Sequence, residues 1–201
     1  MKKIFFGLLA FTIIAFTACG SKNNNAGTAN KSVVPETTAA AKQAVDTVPA
    51  NTASTAVSIK DIVRAYLQMK NAFTKDNTSE AAAAGKTLQA AFINFDTKTL
   101  SAQQQKIFAD IADDAKEHAE HIGANGGNIA HQREHFDMLS KDMADLIKTF
   151  GNGGQTLYKD FCPMYNKGKG AYWISETKEI KNPYLGKAMP TCGTLKEEIK
   201  Q

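Results

Sequence analysis

Four stretches of the chain repeat apolar residues every three to four positions, and each predicts an amphipathic helix. The first carries Ile59, Ile62, Val63, Tyr66, Leu67 and Phe73 behind Ser58, a candidate N-cap. The second runs from about Ser79 to Phe95, with the alanine run Ala81 to Ala84 and a sticky side of Leu88, Ala91, Phe92 and Phe95. The third opens at Ser101, with Gln104 in the capping-box position, and aligns Ile107, Phe108, Ile111, Ala115 and Ile122. Glycines at 123, 126 and 127 break it. The fourth resumes near Asn128 and runs to Phe150, with Ile129, Phe136, Leu139, Met143, Leu146 and Ile147 turned inward. Short links between four such helices predict a mainly α fold, an up-down four-helix bundle.

From Thr156 the helical period is lost. Leu157 to Phe161 alternates, and Ala171-Tyr172-Trp173-Ile174 is rich in strand formers. Gly168 and Gly170 between them predict a small C-terminal β-hairpin within an otherwise irregular segment. Leu195 to Ile199 reads as a last helical turn.

The pattern fails at the other end of the chain. Residues 1–18 combine Met-Lys-Lys with an apolar run from Ile4 to Ala18, which reads as a signal peptide. That run has 15 residues, short of the roughly 20 that a membrane-spanning helix needs. Phe16-Thr17-Ala18-Cys19 resembles a loose lipobox, of the kind whose cysteine is acylated in bacterial lipoproteins. The resemblance implies lipidation at Cys19 and a membrane anchor. Residues 19–57 are rich in Asn, Thr, Ala and Ser, and read as a disordered tether. The folded domain is then residues 58–201. The tether start lacks an acidic cluster, which favours the periplasmic side of a bacterial membrane over the cell surface.

Charge excludes one class of partner. The formal net charge is +4, and removing Lys2 and Lys3 with the leader lowers it to +2. Without a basic cluster, nothing supports nucleic-acid binding.

Candidate chemistry lies in two places. Once Cys19 is lipidated, Cys162 and Cys192 remain, and they pair as a disulfide, bind something, or stay free. Each has a methionine nearby, Met164 and Met189, and soft sulfur donors of this kind suit Cu(I). The second place is the turn between the third and fourth helices. His118 and His121 precede it at i, i+3, and His131 and His135 follow at i, i+4. Similar heights on an antiparallel pair are what a two-helix clamp for Zn or Cu(II) requires. A count of 100° per residue opposes this. It turns His131 largely outward, so not all four converge without helix rotation; they read as exposed helix-end residues, with a Zn or Cu(II) site using two or three of them as the alternative. Gln132, Arg133 and Ser140 read as polar ties from the bundle to the C-terminal segment.

The C-terminal motifs carry a family resemblance. Cys162-Pro163-Met164, Gly170-Ala171-Tyr172-Trp173-Ile174-Ser175, Asn182-Pro183-Tyr184-Leu185-Gly186, Met189 and Cys192-Gly193 form its pattern. Upstream, Gln132-Arg133, Phe136 and Leu139-Ser140 fit the same family's helix. Over roughly residues 58 to 200 the chain resembles a domain of unknown function found in small lipoproteins of Gram-negative bacteria. The same domain is appended to periplasmic adaptors of copper/silver efflux pumps. Pro190-Thr191 departs from the apolar pair expected before the cysteine. The resemblance implies a helical domain associated with heavy-metal handling, with Cu(I) or Ag(I) as cargo and an efflux adaptor as partner.

The functional expectation is a periplasmic lipoprotein that binds Cu(I) or Ag(I) or assists metal efflux. The alternative is a disulfide-stapled interaction module of the envelope without metal, docking through an exposed Trp173 or Tyr184. No triad, phosphate loop or His-Glu-x-x-His motif supports catalysis, and His118-Ala119-Glu120-His121 has the wrong spacing for the last.

Overall fold

The computed structural model describes residues 58–200. The leader, Cys19 and the whole of the tether lie outside the described residues. Among the described residues there are four α-helices: α1 (Lys60–Thr74), α2 (Thr78–Ile93), α3 (Ala102–Ala124) and α4 (Ile129–Phe150). They pack in sequence order, α1 on α2, α2 on α3 and α3 on α4.

Local chemistry fixes the helix starts. Asn77 caps α2 by accepting from the Glu80 amide at 3.1 Å. Ser101 and Gln104 form the expected capping box on α3. Asn128 caps α4 through the His131 amide at 3.2 Å. Ser58 does not cap α1; the cap position is Ile59, and the Ser58 hydroxyl only accepts from Lys60 at 3.3 Å.

Helices α2 and α3 meet at two glycines. A Cβ on Gly85 would stand 2.7 Å from the Ala119 carbonyl oxygen and 3.0 Å from the Gly123 nitrogen. Only glycine permits that approach. Between α1 and α4 the contact is aromatic: Tyr66 stacks on Phe136 with centroids 5.3 Å apart, and Phe73 tilts against it at 5.0 Å.

The C-terminal segment forms a three-stranded antiparallel sheet, not a lone hairpin. Its strands are β1 (Leu157–Cys162), β2 (Ala171–Ser175) and β3 (Thr194–Ile199), in the order β2-β1-β3. The expected helical turn at Leu195–Ile199 is therefore a strand. Leu195, Lys196, Glu197 and Glu198 favour helix by local propensity, but pairing with β1 overrides it. The consecutive charged residues Lys196, Glu197 and Glu198 on this exposed edge blunt it against further pairing.

Strand β2 lies against α4 and α1. A polar chain crosses this contact. The Ile174 amide donates to Tyr66 Oη at 3.1 Å, Tyr66 Oη lies 2.8 Å from Ser140 Oγ, and Ser140 Oγ donates to the Phe136 carbonyl at 2.7 Å. Trp173 and Tyr184 are both buried, at 0% and 2% exposure. This removes them as the docking surface expected from the sequence, because the sheet folds its aromatic face onto the bundle.

Arg133 ties the same regions from outside. It donates to the Pro183 carbonyl at 2.7 Å, the Phe73 carbonyl at 2.9 Å and the Asp76 carboxylate at 2.6 Å. Asp76 in turn accepts from the Lys187 amide at 3.1 Å. Arg133 thus ties the helices directly to the C-terminal segment, and Ser140 does so through Tyr66, as the sequence suggests. Gln132 is not: it bonds only within the helices, to Thr78 and Ile122.

A buried charge group sits under the sheet. Lys70 Nζ lies 2.8 Å from Glu176 Oε2 with no exposure of its own. Asp160 on β1 is fully buried, and neither carboxyl oxygen has a hydrogen-bond partner. Burial pushes its pKa up to about 7, with Lys70 opposing the rise.

Candidate metal sites

Two groups of ligating side chains stand out, one on the sheet and one at the α3–α4 turn. Cys162 ends β1 and is buried, facing Ala171 of β2 in the register. Cys192 lies two residues before β3 and is half-buried. Because Phe161 pairs with Thr194, the antiparallel register carries Cys192 back to Cys162. The sulfurs are 3.6 Å apart and both cysteines are free thiols. The two ends of the loop, whose proximity the sequence leaves open, therefore meet, and the strand that brings them together is the one the sequence concealed.

The turn that holds Cys192 is braced. Its amide donates to the Met189 carbonyl at 3.2 Å, and Asn182 donates its side-chain amide to the Cys192 carbonyl. Asn182 Oδ1 accepts from the amides of Tyr184 and Leu185 at 2.8 and 2.9 Å. Gly193 packs close against the indole, since a Cβ there would come within 2.8 Å of Trp173. Burial and the neighbouring Cys162 thiol push the Cys192 thiol up from its usual range. A soft ion binding here would have to displace its proton. Met164 and Met189 are 55% and 39% exposed. Each lies within three residues of a cysteine, and both are on the surface rather than in the core.

At the α3–α4 turn the four histidines converge, contrary to the angular count. His135 is the hub. Its ring stacks on His121 with centroids 4.2 Å apart, meets His131 edge-on at 4.7 Å, and lies 5.4 Å from His118. Ligand atoms of His121, His131 and His135 all lie within 4.8 Å of one another. Nδ1 of His118 is 3.3 Å from Nδ1 of His135. The error in the count was to measure each ring against its own apolar arc. The rings gather along the groove where α3 and α4 run side by side, so flanking positions on both helices face each other.

Backbone ties hold the rings at matching heights. Gln132, next to His131, donates to the carbonyl of Ile122, next to His121, at 2.9 Å, and to that of Thr78 at 3.1 Å. Asn125 closes the end of α3 by donating to the His121 carbonyl at 2.8 Å. Carboxylates ring the cluster: Glu134 lies 3.6 Å from His131, Glu117 3.9 Å from His121, and Asp142 3.9 Å from His118. Burial and the three neighbouring imidazoles pull the His135 pKa down to about 4, so that ring is neutral at neutral pH. Burial, with Asp114 and Asp145 nearby, pushes Asp142 up to about 6.

Residues 62–155 match the family model described as Protein of unknown function (DUF3347). The DUF3347 match runs from within α1 past the end of α4 and stops just before β1. The histidine cluster lies inside the matched range and Cys162 and Cys192 lie outside it, so the match is shorter than the resemblance read from the sequence. No curated protein and no solved structure matches the chain. Among the described residues, no helix is long and apolar enough to cross a membrane.

One residue at the histidine cluster, Asp142, escaped the sequence reading, and another, Gln132, was given the wrong partners. Asp142 stands seven positions after His135, two helical turns along one face, which is a legible spacing. Gln132 gave no such signal, because its partners are backbone carbonyls on other helices.

Proposed function

We propose that this chain is a metal-handling lipoprotein of the bacterial envelope that takes up Cu(I) or Ag(I) between Cys162 and Cys192. On this reading Cys19 carries the lipid anchor, residues 19–57 are the tether, and an up-down arrangement of α1–α4 is the scaffold. The observation that carries it is the 3.6 Å separation of the two sulfurs on a braced turn. Two thiolates at that distance need little motion to share one soft ion. Met164 or Met189 supplies a third, thioether donor from the exposed rim. Resemblance of the C-terminal motifs to domains appended to copper/silver efflux adaptors supports such an adaptor as the partner that receives the ion. No catalytic step belongs to this role.

The competing role is a disulfide-stapled interaction module, which the same sulfur proximity favours. Titration of the reduced full chain with Cu(I) against a competing chelator separates the two. One ion per chain is expected, lost in the Cys162→Ser, Cys192→Ser variant. Binding that survives in that variant removes the thiols from the site. No Cu(I) binding by the reduced chain selects the staple.

A further inference from the structure

We propose that His121, His131 and His135 form a separate site for a borderline divalent cation of the Zn(II)/Cu(II) class, with His118 as a positioning residue. Imidazole donors suit these ions, whereas the sulfur pair suits monovalent Cu(I) and Ag(I). The site is independent of the thiols and stands whether or not they bind anything.

Geometry comes first. A tetrahedral ion with metal–nitrogen bonds of about 2.0–2.1 Å sets its nitrogens about 3.4 Å apart. The three rings already place ligand atoms within 4.8 Å, so each pair has to close by no more than about 1.4 Å. Such a shift is within side-chain rotation, because the backbone heights are fixed by Gln132 on Ile122. His121 is 45% exposed, which leaves an entry path and a fourth position for water.

Tautomers follow from the contacts. Nδ1 of His135 is engaged with Nδ1 of His118, so Nε2 is the nitrogen left to bind. With an ion on Nε2, His135 keeps its proton on Nδ1 and donates it to His118 Nδ1; His118 then holds its own proton on Nε2, which lies 3.9 Å from Asp142 Oδ2, one side-chain adjustment from a hydrogen bond. Asp142 Oδ2 is shielded from solvent and has no hydrogen-bond partner. A carboxylate behind a ligand imidazole is the usual outer support of such sites, here extended by one ring. Glu117 and Glu134 add negative charge beside the other two ligands.

Calorimetric titration of the full chain with ZnCl2, and Cu(II) electron paramagnetic resonance, test the site. Both are run in a Cys19→Ser, Cys162→Ser, Cys192→Ser background so that no thiol contributes. One ion per chain and nitrogen hyperfine structure are expected. His131→Ala with His135→Ala should weaken binding at least 100-fold while the circular dichroism spectrum is kept. His118→Phe should weaken it roughly 10- to 100-fold, and His118→Gln, which retains an acceptor for His135, should recover most of the loss. No binding in the thiol-free chain, or unchanged binding in the folded double-alanine variant, overturns the site. Equal affinities for His118→Phe and the parent overturn the role of His118.

Discussion

The side-chain amide of Gln132 reaches the backbone carbonyl of Ile122 at 2.9 Å, joining the first turn of α4 to the last turn of α3. The same nitrogen also serves Thr78 at the start of α2, so one buried group sets the relative heights of three helices. Replacing Gln132 by Leu leaves two carbonyls without that donor. Stability should fall by about 1–3 kcal/mol, read by urea denaturation. Zn(II) affinity should fall with it, because His131 is no longer held level with His121.

Gly186 sits at φ +53, a left-handed conformation, against the Asp76–Arg133 pair. A Cβ there would collide with the Asp76 carboxylate and stand 2.6 Å from Arg133 Nη2. Gly186→Ala should cost about 2 kcal/mol or more, measured as a lowered unfolding midpoint. Gly154→Ala is the control. Its φ is +82 but a Cβ would meet nothing within 4 Å, so its cost should be the backbone strain alone, about 1 kcal/mol.

Asp160 gives the fold a pH dependence. Its pKa rises from 3.8 unfolded to about 7 folded, so between these values the native state holds a proton that the unfolded chain has released. That proton stabilises the fold at low pH, and the benefit is lost as pH rises through about 7. Asp160→Asn should therefore be more stable than the parent above neutrality, on the order of 2 kcal/mol, and the difference should shrink toward pH 4. Parallel stability curves for the two proteins across that range would refute this.

The thiols of Cys162 and Cys192 should couple readily under mild oxidation, with the loss of two hydrogens by intact mass. The closed loop spans thirty positions, and its closure should raise stability by about 3–4 kcal/mol. Oxidation should also abolish Cu(I) uptake without affecting Zn(II) binding at the histidines.

Legibility in the sequence followed the range of the interactions involved. The capping box at Ser101 and Gln104 and the period of α4 are local, and both read directly. The β1–β2 pairing also read, because Trp173 and Ile174 are strand formers close to glycine turns. Strand β3 did not, since its Leu-Lys-Glu-Glu run favours helix alone and becomes a strand only against β1. The histidine cluster failed for a related reason. Its spacing was visible, but whether the rings meet depends on how α3 lies along α4, which no count along one helix contains.

The indole of Trp173 lies under Gly193, the residue after Cys192, and it is the only tryptophan in the chain. The protein therefore carries its single indole beside its sulfur pair, and excitation at the red edge of the absorption band selects that ring over the tyrosines. Emission from that single ring will follow events at Cys192, and a heavy ion such as Ag(I) arriving there should quench it.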